Sequence, residues 1–145
     1  MASPLEELLK YKYYTISYDL RVDKMDTEVN DSVIQDNLAI LLVYNDCEDI
    51  ECFTETTVHF KSTKSPEFWY EEIIEYFGDY LVFILERVAV NKNHEPVRGI
   101  HLNENYERNY PSKLHVNYRK RIKELKEHTK EDLKDELDKF FIGYN

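Results

Sequence analysis

The sequence predicts an α+β fold: a small antiparallel sheet of three to five strands covered by helices, with a long amphipathic C-terminal helical region. Three observations carry that expectation. Tyr14, Ile16, Tyr18, Leu20 and Val22 alternate with Thr15, Ser17, Asp19 and Arg21, the period of a strand with one buried face. Leu114, Tyr118, Ile122, Leu125, Leu133, Leu137 and the Phe140–Phe141 pair recur at helical spacing. Strand-like and helix-like segments are also grouped along the chain instead of alternating as βα units.

Taken in order, Ser3-Pro4-Leu5-Glu6 reads as a helix start, with a capping serine, a first-turn proline and a glutamate three residues after the cap. A short helix to about Tyr11 follows, then the strand over 13–22. Residues 23–37 are polar and acidic without a period and read as a long loop. Leu38 to Tyr44 is a continuous apolar run, read as a central strand. Asn45 to Glu51 makes a turn, and 52–61, rich in Thr, Val and Phe, returns as an antiparallel third strand.

Ser65-Pro66 repeats the cap-and-proline start. Phe68, Trp69, Ile73, Ile74 and Phe77 then follow helical spacing over 66–77, with Glu71, Glu72 and Glu75 outside. Gly78 punctuates the pattern, and the density of Val, Ile, Phe and Tyr favours a fourth strand over 80–90, although Leu81, Ile84, Leu85 and Val88 would also form a helical stripe. Asn91 to Pro96 turns toward a short fifth strand at 97–102. The last helical region, 113–140, is expected to break near His128, where Thr129 stands three residues before Asp132 in capping-box spacing. One domain over 1–145 is expected, with a core that includes Ile16, Tyr18, Leu20, Leu41, Val43, Val58, Phe60, Ile73, Phe77, Leu81, Ile84, Ile122, Leu125 and Leu137.

Charge is sorted along the chain. Net charge is −10, and residues 23–55 hold ten acidic side chains against one lysine, while 108–130 hold eight Lys/Arg against two glutamates. The expected acidic face comprises Asp23, Asp26, Glu28, Asp31, Asp46, Glu48, Asp49 and Glu51. Carboxylates this dense repel one another, steer a basic partner and gain from its arrival. Twelve tyrosines supply amphipathic rings suited to interfaces; Tyr44, Trp69 and Tyr70 are the expected aromatic anchors, the latter two on condition that they are exposed. The basic stretch, with Arg108, Lys113, Arg119, Lys120, Lys123 and Lys126 near Tyr106, Tyr110 and Tyr118, offers an alternative surface for RNA or single strands. A pI near 5.0 disfavours general binding to a phosphate backbone.

Catalytic signatures are missing. Cys47 and Cys52 sit among Asp46, Glu48, Asp49 and Glu51, which oppose thiolate formation. Their spacing, with His59 following, does not give two compact zinc-ligand pairs, and His94, His101, Glu104 and Glu107 form no recognisable ligand set. Three glycines leave no phosphate-cradling loop or nucleophile elbow. The expectation is therefore a non-enzymatic protein without cofactor or metal that binds and blocks a basic protein surface, as an inhibitor, immunity or antagonist protein of viral or microbial type. Self-association as an assembly protein is the alternative, and nucleic-acid binding through 108–130 the second. The start of the chain lacks a signal-peptide pattern and no apolar run spans a bilayer, so a cytoplasmic, reducing location with free thiols is expected.

Overall fold

The computed structural model describes residues 3, 4, 9–21, 30–54, 56–97 and 112–144, the last segment with side chains over 116–140. Its elements are β1 (Lys12–Leu20), α1 (Asp31–Tyr44), β2 (Glu48–Thr54), β3 (Thr57–Ser62), α2 (Pro66–Phe77), β4 (Leu81–Val88), α3 (Ser112–Lys126) and α4 (Lys130–Tyr144). The four strands form one antiparallel sheet in the order β2-β3-β1-β4. The α+β class holds, as do the first strand, the strand after Gly78, the helix after Ser65 and the broken C-terminal helical region. The 3–11 start is described only at its ends, where Pro4, Leu9 and Lys10 are helical.

Two expected strands are corrected. The 38–44 run is the second half of α1, not a central strand. Asn30, whose side chain accepts from the Val33 N–H at 3.0 Å, caps this helix, and Asp31 complements the dipole in its first turn. Leu38, Ala39, Ile40, Leu41, Leu42 and Val43 are all buried, because α1 packs against α3 and α4 and shares one core with the sheet. A helix enclosed on every side has no polar stripe, so its sequence matches that of a buried strand. The 31–37 part of the expected loop is therefore helix. The second correction concerns 52–61: Glu48–Thr54 and Thr57–Ser62 are two strands of a tight hairpin, with Cys52 opposite Val58. The 38–44/52–61 hairpin does not exist. The expected fifth strand begins only as an isolated antiparallel bridge between Val90 and Pro96, and 98–102 lies outside the described residues.

The core joins Tyr14, Ile16 and Tyr18 of β1 to Phe60, Trp69, Ile73, Phe77, Leu125, Leu133, Leu137 and α1. Of the expected core, Leu20 is half-buried and Ile84 is a correction, being 70% exposed. In a strand Ile84 points opposite to Phe83 and Leu85, onto a face that no described helix covers at that position. The helical stripe that suggested its burial does not apply there. Gly78 ends α2 in right-handed helical conformation; an added Cβ would stand 2.5 Å from the Ile74 carbonyl oxygen, so the tight exit into β4 depends on its absence.

Candidate functional site: an acid-rimmed groove beside a charge clasp

The two charged stretches meet inside the molecule. α3 follows α1 and β2, and its cations reach their carboxylates. Arg121 forms a two-pronged pair with Asp36, Nε to Oδ1 at 2.7 Å and Nη2 to Oδ2 at 3.1 Å, and also approaches Glu136 at 3.7 Å. Arg119 lies 3.6 Å from Glu51, and Lys130 lies 2.7 Å from Asp46 while donating to the Tyr44 carbonyl. Lys130 also stands 5.3 Å over the Tyr44 ring. Exposed pairs of this kind contribute about 0–1 kcal/mol each, so their main effect is to neutralise charge locally.

This arrangement redistributes the expected acidic face. Asp46 and Glu51 hold internal cations. Glu48 and Asp49, at the start of β2, are exposed and form no ion pair among the described residues, and Asp31 serves the first turn of α1. Asp23, Asp26 and Glu28 lie outside the described residues. On the basic side Arg119 is paired, Lys120, Lys123 and Lys126 are exposed, Lys113 is described by its backbone alone, and Arg108 lies outside the described residues. The cleft between α1 and α3 is lined by Ser32, Gln35, Asn117 and Tyr118 together with the Asp36–Arg121 pair, so its charges already satisfy each other.

The aromatic anchors separate sharply. Trp69 has no solvent exposure: its Nε1–H donates to Ser62 Oγ at 2.9 Å and its ring meets Phe60 edge-on, so it is a core residue and not a surface anchor. Tyr70, one residue on, is turned about 100° around the helix and is 54% exposed. Its ring lies 5.9 Å from that of Phe83. Together with Pro66, Phe83 and Leu85 it forms a groove of about 410 Å³ between α2 and β4, and Glu67 and Glu71 stand on its rim. The α2 sequence carries Glu67, Glu71, Glu72 and Glu75 and no Lys or Arg. Glu72 is pushed above the usual carboxylate range, first by burial and then by repulsion from Glu75. The rim escaped notice in the sequence because it lies outside the dense 23–55 stretch; the signal available was a helix with four acids, no cation and an aromatic beside a buried position.

The thiols are ill suited to nucleophilic chemistry at neutral pH. Both cysteines are free and buried; burial pushes Cys52 up to about 11 and Cys47 further, with Asp46 adding to the latter. Burial likewise raises the Tyr14 hydroxyl to about 12. Folded-state values above the ordinary 9.0 for Cys52 and 10.0 for Tyr14 mean that the native protein holds these protons after the unfolded chain has released them. Their contribution to stability is complete below about pH 9 and declines as pH rises through the folded values, by up to about 1.4 kcal/mol per pH unit for each group. Urea midpoints measured at pH 8, 9.5 and 10.5 should fall in that order; equal midpoints would contradict the burial argument.

Among the described residues no group of three or more His, Cys, Asp or Glu is placed to hold a metal ion, and no helix is long and apolar enough to cross a membrane. The chain matches no protein-family model, no curated protein sequence and no solved structure.

Proposed function

We propose that this protein is a non-enzymatic binding protein that occupies a basic surface of another protein, in the manner of an inhibitor, immunity or antagonist protein, and that the α2–β4 groove is its contact surface. The carrying observation is the groove's composition: an apolar floor of Phe83 and Leu85, an exposed Tyr70, and carboxylates at Glu67 and Glu71. Apolar and aromatic anchors supply short-range affinity, while like-signed charges around them steer a partner of opposite sign. Net charge of −10 extends that field over the whole molecule. Glu48 and Asp49 add exposed acids on β2, whereas Asp36, Asp46 and Glu51 hold the clasp with α3 and α4. The same clasp engages Arg119, Arg121 and Lys130, which weighs against a phosphate-binding role for that stretch.

The test is comparative capture from the native host by wild type and by a Tyr70→Ala/Glu67→Gln/Glu71→Gln variant. A basic protein retained by wild type should be released by salt. The variant should bind it at least tenfold more weakly, since an aromatic anchor alone can contribute about 2 kcal/mol. Equal retention by both proteins would overturn the assignment of the groove, and retention of an acidic partner or of nucleic acid would overturn the reading as a whole.

A further inference from the structure

We infer that the side chain the basic partner seats in the α2–β4 groove is an arginine, its guanidinium stacked on the Tyr70 ring and hydrogen-bonded to Glu67 and Glu71. The inference rests on the functional reading above and adds the identity of the anchoring residue.

Helical spacing assembles the cradle. Glu67 and Glu71 are four residues apart in α2, so they stand on the same side of the helix, and both line the groove with Tyr70. Like charges at that spacing oppose each other, and α2 holds no Lys or Arg to relieve them. Arg87, the only cation of β4, alternates to the face of Phe83 and Leu85. Neither glutamate forms an ion pair with it or with any other cation among the described residues.

Other aromatic rings of the molecule carry the missing component. Lys130 stands 5.3 Å over the Tyr44 ring and 2.7 Å from Asp46. Lys134 stands 5.2 Å over the Tyr76 ring and 3.1 Å from Asp138. Each set joins a ring, a cation and a carboxylate, so the cation is attracted by both partners. Lys61 lies 4.5 Å over Tyr11, and Lys64 lies 5.2 Å over Phe68. The groove repeats the ring and the carboxylates without the cation: Tyr70 is 54% exposed and has none over it among the described residues.

Geometry selects the cation. The Tyr70 and Phe83 rings lie 5.9 Å apart and tilted by 44°, in contact with each other. No space remains between them for an ammonium group, which argues against a cage around a methylated amine. A planar guanidinium instead stacks on the open part of the Tyr70 ring and still directs its fork of N–H donors sideways to two carboxylates. A lysine ammonium is a strongly hydrated point charge and cannot stack in this way. The arginine's methylene stem then lies along the apolar floor of Phe83 and Leu85. A second copy is a poor donor of that side chain, because each copy carries a net charge of −10.

The test uses the full protein, with labelled tyrosine rings, and a blocked Gly-Val-Arg-Val-Gly peptide as the probe. Two further probes carry lysine or the neutral isostere citrulline in place of arginine. Titration followed at Tyr70 should show the arginine probe bound at least about threefold more tightly than the lysine probe, the effect of stacking. It should be bound at least about fivefold more tightly than the citrulline probe, the effect of two exposed carboxylates. The preference for arginine over lysine should survive Tyr70→Phe and vanish in Tyr70→Leu. The preference over citrulline should vanish in Glu67→Gln/Glu71→Gln. Equal binding of lysine and arginine probes, or a preference that survives Tyr70→Leu, would overturn the arginine anchor while leaving the groove as the contact surface of a basic partner. Citrulline bound as tightly as arginine would overturn the part of the carboxylates and the inference with it. A Tyr70 ring that a soluble paramagnetic agent fails to reach in the free protein would overturn it because the groove is already filled. Tyr70 shifts that grow with protein concentration without probe would assign the groove to a second copy. An absence of probe binding at millimolar concentration would also overturn the arginine anchor, with the capture experiment deciding independently whether a basic partner uses the groove.

Discussion

Replacing Trp69 by alanine is expected to destabilise the protein by about 3–5 kcal/mol, whereas Tyr70→Ala should change stability by about 0.5 kcal/mol or less. The two rings are adjacent in sequence and differ only in which way α2 turns them. Trp69 packs at ring-centroid distances of 5.0 Å from Phe60 and 5.3 Å from Phe68, and its indole N–H ends on Ser62 Oγ. Truncation removes those contacts, opens a cavity among Tyr14, Phe60 and Ile73, and withdraws a donor from a buried hydroxyl. Ser62 Oγ still accepts the Lys64 N–H at 3.0 Å, so the loss there is partial. Tyr70 gives up only a half-exposed ring contact with Phe83. Urea denaturation of both variants checks the contrast, and comparable losses would contradict the orientation of α2. Because Tyr70→Ala leaves the fold intact, its effect on capture is a direct reading of the groove.

Leu125→Ala should cost about 2–5 kcal/mol, with an unfolding midpoint that does not depend on protein concentration. Leu125 is fully buried and lies in the same cluster as Leu41, Leu133 and Leu137, at the end of α3 where the chain turns into α4. From Tyr118 to Phe140 the stripe that suggested pairing between copies is buried within one chain. Thr129 Oγ1 accepts the Asp132 N–H at 3.1 Å and starts α4, so the break near His128 folds the second half of the stripe back onto α1. A destabilisation below 1 kcal/mol, or a midpoint that rises with protein concentration, would return the stripe to an intermolecular role.

The α+β class, the helix starts at Ser65 and Thr129, the β1 strand and the tyrosine at position 70 as an exposed anchor candidate were legible in the sequence because each depends on local signals. Side-chain alternation, capping hydrogen bonds and helical spacing act within a few residues and persist whatever packs nearby. Three features were decided only by tertiary structure. The 38–44 run is helix because α3, α4 and the sheet enclose it; burial on all sides erases the periodicity that distinguishes helix from strand. Ile84 is exposed because its segment is a strand and not a helix, which turns it to the face opposite Phe83 and Leu85, and which face of the sheet the helices cover is set by packing and not by local pattern. The sorted charge was plain in the sequence, but its destination was not. Asp36, Asp46 and Glu51 meet Arg121, Lys130 and Arg119 across separations of 68 to 85 residues, and only the packing of α3 and α4 against α1 and β2 sets those distances. Coulomb attraction acts through space, so a charged stretch read along the chain indicates that a counter-charge is needed and leaves open whether the fold or a partner supplies it.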